Sequence, residues 1–218
     1  SATVTATATD PVVPHELSHE DPLSGIPLRS SPDRAADVAV ILSLDGLRPD
    51  AIHSGTPAMA RLRREGTWAR RARTIVNSST LPSHASMFTG LYPSEHGLVA
   101  VDRNVALDPR QPMLASVLRA NGYATAAFTG GGNMSAHFGF DAGFDTSRSP
   151  GRRLADGLTD VEAWLDTVGD RPFFLFVHYN DPHLPYDPPD PHGREWTGGY
   201  GGRLTAAGAG AAAERPGE

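Results

Sequence analysis

The chain has 218 residues, 39% of them hydrophobic and 20% charged, with a formal net charge of −6 at pH 7. Such a composition suits one globular domain and argues against a nucleic-acid-binding face, which would need a basic surface. Cysteine is absent, so disulfides and thiolate metal sites within the chain are excluded and any metal must rest on oxygen or imidazole ligands. No run approaches the roughly 20 apolar residues of a spanning helix, so no membrane span is expected.

Residues 1–36 are rich in Ala, Thr, Pro and Asp and show no helical or alternating period, which predicts an extended or disordered arm. That Thr/Ala/Pro-rich start favours an exported, periplasmic setting. The run VAVILSLD, residues 38–45, is apolar until it closes in Asp-Gly and predicts a strand buried on both faces. TPAMARLRREG, residues 56–66, places Pro in a first turn and Gly past the end, which predicts a helix. In TLPSHASMFTG, residues 80–90, Pro82 is placed to begin a second helix and Thr80 lies just ahead of it. QPMLASVLRANG, residues 111–122, repeats the helical form, and YATAAFT, residues 123–129, predicts the next strand. The following GGGNM, residues 130–134, lacks both the G-x-G-x-x-G pattern and the Walker lysine, so it reads as a turn rather than a nucleotide cradle. Leu154, Leu158, Val161, Leu165 and Val168 recur at helical spacing and define one apolar face. PFFLFVHY, residues 172–179, predicts another buried strand. Residues 37–189 are expected to form one α/β domain, and residues 190–218 an irregular Gly/Ala-rich tail.

Buried strands alternating with amphipathic helices imply a mostly parallel sheet with helices on both faces, and ligands of such sheets bind beyond the carboxyl ends of the strands. Asp45 ends the first strand there, either as a ligand for a hard divalent cation (Ca, Mg, Mn or Zn) or as a residue that shapes the Asp-Gly turn. Thr80 has two readings: a helix N-cap, or a hydroxyl nucleophile towards an anionic ester steadied by the helix end. His84, one turn on, either donates to the same anion or is a buried structural residue. His96, in SEHG, closes a helix or turn and receives no catalytic role. Asp181 and His183, in HYNDPHLPYDPP, either shape a rigid surface turn or face the ligand-binding edge.

Five ordered blocks, LDGLRPD, TLPSHASMFTGLYPSEHG, GYATAAF, FGFDAGFD and FFLFVHYNDPHLPYDPP, resemble the sulfatase branch of the alkaline phosphatase superfamily over about residues 38–189. The resemblance implies an alkaline phosphatase-like α/β sandwich with a metal-bound nucleophile at the strand ends. Sulfatases build that nucleophile from Cys or Ser. Thr80, followed by Pro82 and His84, is instead similar to the type I phosphodiesterase and nucleotide pyrophosphatase members, in which an unmodified Thr attacks phosphorus. The same resemblance implies Asp45 and Thr80 as metal ligands, His84 as a catalytic group on the anion, His183 as a contact to the substrate anion, and Asn104 as a donor to a nonbridging oxygen. FTGGGNM stands where many sulfatases carry sulfate-binding Lys and His, and Gly46 stands where they place a second acid. The Ser-Asp-His-Gly-like segment that supplies further ligands in the family is not in the sequence, which predicts a C-terminally truncated, N-terminal portion of the fold. The expectation is a metal-dependent hydrolase of small sulfate or phosphate esters, with phosphate favoured. Alternatives are an incompetent remnant of such an enzyme and a phosphoryl transferase. The oligomeric state is left open.

Overall fold

In a computed structural model the chain is described over residues 37–75, 78–100 and 105–183. The predicted arm, the Gly/Ala-rich tail and Asn104 lie outside the described residues. Four strands, β1 (Val38–Leu44), β2 (Ala124–Thr129), β3 (Thr146–Arg148) and β4 (Phe173–Tyr179), form one parallel sheet in the order β1-β4-β2-β3. The helices are α1 (Pro57–Glu65), α2 (Thr80–Thr89), α3 (Pro93–His96), α4 (Leu114–Ala120) and α5 (Leu154–Val168). The α/β architecture with helices on both sheet faces is as the sequence predicts.

Two apolar layers hold the sheet. On one face Phe174 and Phe176 of β4 pack with Leu81, Ala85 and Phe88 of α2 and with Phe140 and Phe144 from the segment before β3. Phe88 meets Phe176 edge to face, with ring centroids 4.8 Å apart, a geometry that suits the ring quadrupoles. On the other face Leu175, Val177 and Tyr179 pack with Ala126, Phe128 and Val161. Strand β4 is therefore buried on both sides, as its unbroken apolar run predicts.

Strand β1 differs from its prediction. It is the edge strand of the described sheet, and Val38, Val40 and Leu42 are 52%, 53% and 47% exposed. On that face α5 lies over β2 and β4 and leaves the outer row of β1 uncovered among the described residues. Periodicity reports which residues are apolar, not which strand becomes the edge.

Helix α5 is also rotated from its predicted face. Gly157, Val161 and Val168 are buried, whereas Leu158 and Leu165 are 46% and 36% exposed. The cause is Gly157: a Cβ there would come within 1.7 Å of the Tyr179 hydroxyl, so only glycine lets the helix lie this close to β4.

Candidate active site

The carboxyl ends of β1, β2 and β4 and the start of α2 enclose a cavity of about 200 Å³. It is lined by Asp45, Thr80, Gly131, Gly132, Asn133, Arg152, His178, Asn180 and His183. Three sequence-predicted residues, Asp45, Thr80 and His183, thus come together from positions far apart in the chain.

Asp45 follows β1 directly, and its backbone N–H donates to the Tyr179 carbonyl at 3.0 Å, which continues the β1–β4 ladder into the turn. Gly46 then turns the chain with φ of +80°; a Cβ there would press to 3.0 Å on His183 Cα and the Pro182 carbonyl. Glycine lets the loop after β4 close over the loop after β1.

Thr80 is the first residue of α2, two residues earlier than Pro82 suggests, with Ser79 as the N-cap. Neither side chain caps the helix: the Thr80 hydroxyl donates instead to Asp45 Oδ2 at 2.6 Å. Pro82 fits at the third position because the first four N–H groups of a helix have no intrahelical partner anyway. The Asp45 carboxyl is held well below the usual carboxylate range, chiefly by the neighbouring His178 imidazole, with partial burial opposing and the Thr80 hydroxyl reinforcing. The His178 Nε2 to Asp45 Oδ2 distance is 3.7 Å, too long for a direct hydrogen bond, so this attraction acts through space.

His84 sits beneath the cavity rather than in its lining. It is 2% exposed, and its ring nitrogens are engaged by Ser43 Oγ at 2.9 Å and the Thr80 carbonyl at 2.8 Å. A carbonyl only accepts, so Nδ1 carries the proton and Nε2 accepts from the Ser43 hydroxyl. Burial is the main cause, and the nearby His178 a second, that push its pKa down to about 4. His96 has a structural setting: Nδ1 accepts from the Leu98 N–H at 3.1 Å and Nε2 meets Ser86 Oγ at 3.0 Å.

The rim comes from loops tied to one another. The Asn180 N–H donates to the Arg152 carbonyl, the Gly130 N–H to the His178 carbonyl, and the His183 N–H to the Asn180 carbonyl, at 3.3, 2.7 and 2.9 Å. Asp181, paired with His183 in the sequence, points instead to α5 and accepts from the Leu154 N–H at 2.9 Å. Sequence reasoning missed Asn133, Arg152, His178 and Asn180. His178 alone carried a signal, because alternation puts it on the same face of β4 as Phe174 and Phe176. The GGGNM turn reaches the cavity through Gly131, Gly132 and Asn133.

A cation suited to this floor would be a hard one. Asp45 and Thr80 offer carboxylate and hydroxyl oxygens in direct contact, the donor chemistry of Mg, Ca, Mn or Zn sites. Among the described residues no three His, Cys, Asp or Glu side chains converge to hold a metal.

The sequence model of the type I phosphodiesterase / nucleotide pyrophosphatase family matches residues 39–182, well over half of the chain. The chain belongs to this family. Its relatives include human ectonucleotide pyrophosphatase/phosphodiesterase family member 1, 34% identical over 74 residues, 33% of this chain and 8% of that protein. The mouse bis(5'-adenosyl)-triphosphatase enpp4 is 24% identical over 173 residues, 71% of this chain and 38% of that protein. The chain thus spans well under half the length of these curated relatives. Among solved structures, a protein of the alkaline phosphatase superfamily from Vibrio parahaemolyticus matches with a TM-score of 0.55 at 21% identity, over 78% of this chain and 46% of its own. BT4656, solved with its substrate D-glucosamine-2-N,6-O-disulfate, matches with a TM-score of 0.51 at 19% identity, over 69% of this chain and 35% of its own. These two likenesses establish the fold alone, a parallel α/β sheet flanked by helices. The family is described as that of the type I phosphodiesterases and nucleotide pyrophosphatases. No described helix is long and apolar enough to cross a membrane.

Proposed function

We propose that this chain carries the nucleophile-bearing half of a divalent-cation-dependent phosphate ester hydrolase, with Thr80 as nucleophile and Asp45 and Thr80 as cation ligands. The observation that carries this reading is the 2.6 Å hydrogen bond from the Thr80 hydroxyl to Asp45 Oδ2 at the cavity floor. It fixes a hydroxyl at the first residue of a ten-residue helix, where the dipole and unpaired N–H groups favour a phosphoryl anion.

A bound divalent cation supplies positive charge that lowers the pKa of the hydroxyl and neutralises nonbridging oxygens. The chain does the rest. Asp45 holds the Thr80 hydroxyl by its proton and orients Oγ1 for attack. The Thr80 Oγ1–phosphorus bond forms as the bond to the leaving ester oxygen breaks, the hydroxyl proton departing with the leaving alcohol. Water then cleaves the phosphothreonine, one of its protons restoring the Thr80 hydroxyl, and releases phosphate from a monoester or a phosphate monoester from a diester. His183, Arg152, Asn133 and Asn180 at the rim offer donors to the substrate anion. His84 acts on this chemistry through the Thr80 carbonyl, by fixing the first turn of α2. The small anionic substrate is a phosphate ester rather than a sulfate, because Thr80 is an unmodified hydroxyl and the matched family acts on phosphorus. Export of the protein accompanies this reading, supported by the Thr/Ala/Pro composition of residues 1–36.

The test is hydrolysis of matched aryl phosphodiester, phosphate monoester and sulfate substrates with Mg, Ca, Mn or Zn, for the wild type and Thr80→Ala. Cation-requiring phosphoester turnover that chelation abolishes and Thr80→Ala lowers by about 10³-fold or more is expected. Preference for the sulfate would overturn the substrate class, and full activity in Thr80→Ala the nucleophile. Product transferred to an added alcohol would mark a phosphoryl transferase.

A further inference from the structure

A buried polar rung crosses the sheet at the level of the Asp45 turn. The parallel register places Ser43 of β1 and Thr129 of β2 on either side of His178 of β4. His84 of α2 packs over them, its ring 5.0 Å from that of His178 and perpendicular to it. Three members of the rung are satisfied: Ser43 by His84, His84 also by the Thr80 carbonyl, and Thr129 by Ser149 Oγ at 2.9 Å.

His178 is the exception. It is 1% exposed, and neither ring nitrogen has a hydrogen-bond partner. Buried polar groups are nearly always paired, so an orphaned imidazole calls for an explanation. Its ring has little freedom to seek a partner, since it stacks on Phe176 at 6.2 Å and 26° and abuts His84. Nε2 faces Asp45 Oδ2 at 3.7 Å, the same oxygen that accepts the Thr80 hydroxyl. A carboxylate at the end of a strand is free to rotate about its χ angles unless something holds both the oxygen and its direction. Thr80 holds the oxygen from the helix side, and His178 faces it from the sheet.

We propose that His178 is a positioning residue: from its fixed place in the sheet its imidazole keeps the Asp45 carboxylate turned onto Thr80, so that the nucleophile and its acceptor are aligned before any substrate arrives. The consequence for catalysis rests on the function proposed above; the consequence for geometry does not. Outer residues that orient a ligating carboxylate typically cost about 10–100-fold in metal affinity or activity when removed.

Two variants test this. His178→Phe keeps a ring against Phe176 and His84 and removes both nitrogens, whereas His178→Gln keeps an N–H donor near the position of Nε2. Crystal structures without added cation would give the Asp45 Oδ2 to Thr80 Oγ1 distance, and calorimetry the Mn²⁺ affinity. The expected result is an Asp45 swung off Thr80 and about 10–100-fold weaker Mn²⁺ binding in His178→Phe, with most of both restored in His178→Gln. Should His178→Phe fail to fold, His178→Asn replaces it, since its shorter amide cannot reach Asp45 and the same loss is expected. An Asp45–Thr80 contact unchanged in the variant that lacks the donor would overturn the proposal. A wild type that neither hydrolyses esters nor binds Mn²⁺ would instead sink the proposed function, while the Asp45–Thr80 distance would still decide the role of His178.

Discussion

Burial keeps the His84 imidazole neutral, at a pKa of about 4 against an ordinary 6.5. The unfolded chain therefore binds a proton at this residue over a pH range in which the folded chain refuses it, and stability falls as pH drops from 6.5 towards 4. The loss from this one group between pH 7 and pH 4 is about 3 kcal/mol. Urea unfolding across that range is expected to show the decline, and His84→Gln, which cannot be charged, to flatten it; an equally steep decline in the variant would assign it to other groups. The residue was legible in TLPSHAS, but its place was not. Its sequence position, one turn after Thr80, is compatible with a side chain facing the cavity or the sheet. The choice fell to Ser43, which the register of β1 sets where Nε2 can accept its hydroxyl. Thr80 illustrates the converse. Its sequence allowed an N-cap or a nucleophile, and the 2.6 Å bond to Asp45 takes its hydroxyl away from the helix end.

Elements carry the site by their ends. Helix α5 has no acceptor of its own for the Leu154 N–H, and Asp181, 27 residues away in sequence, provides it. One carboxylate thus caps a helix and anchors the loop that bears His183. Asp181→Ala is expected to destabilise the fold by about 1 kcal/mol, the usual cost of a lost cap. It should also raise KM for an ester substrate more than it lowers kcat, since the loop rather than Thr80 is released. Denaturant titration and steady-state kinetics check the two effects separately. The face of α5 was misread for a simple reason: leucines mark an apolar stripe in sequence, yet a glycine without a side chain determined which stripe met the sheet. Gly157 admits the Tyr179 hydroxyl at a distance no other residue allows, and the helix turned Leu158 and Leu165 outward accordingly.

Over the whole molecule the packing is uneven. The face of β4 towards α2 is filled with interlocked aromatic rings, with Phe176 against Phe88, Phe144 and His84, while the outer row of β1 is half exposed. Phe176→Ala is expected to cost about 3–5 kcal/mol and Val40→Ala to stay within about 0.5 kcal/mol. Chemical denaturation of the two variants would check this, and equal losses would mean that the row on β1 is covered in solution. The sequence by itself determined the α/β class, the parallel sheet, and the placing of Asp45, Thr80 and His183 at the carboxyl ends of the strands, because buried strands and helix ends announce themselves through composition and local spacing. Only the tertiary structure decided that β1 lies at the edge, that α5 packs through Gly157, that His84 is buried, and that His178, Arg152, Asn133 and Asn180 border the cavity. Those outcomes depend on strand order and on the approach of segments distant in sequence, and no local pattern encodes which of several compatible neighbours a side chain will meet.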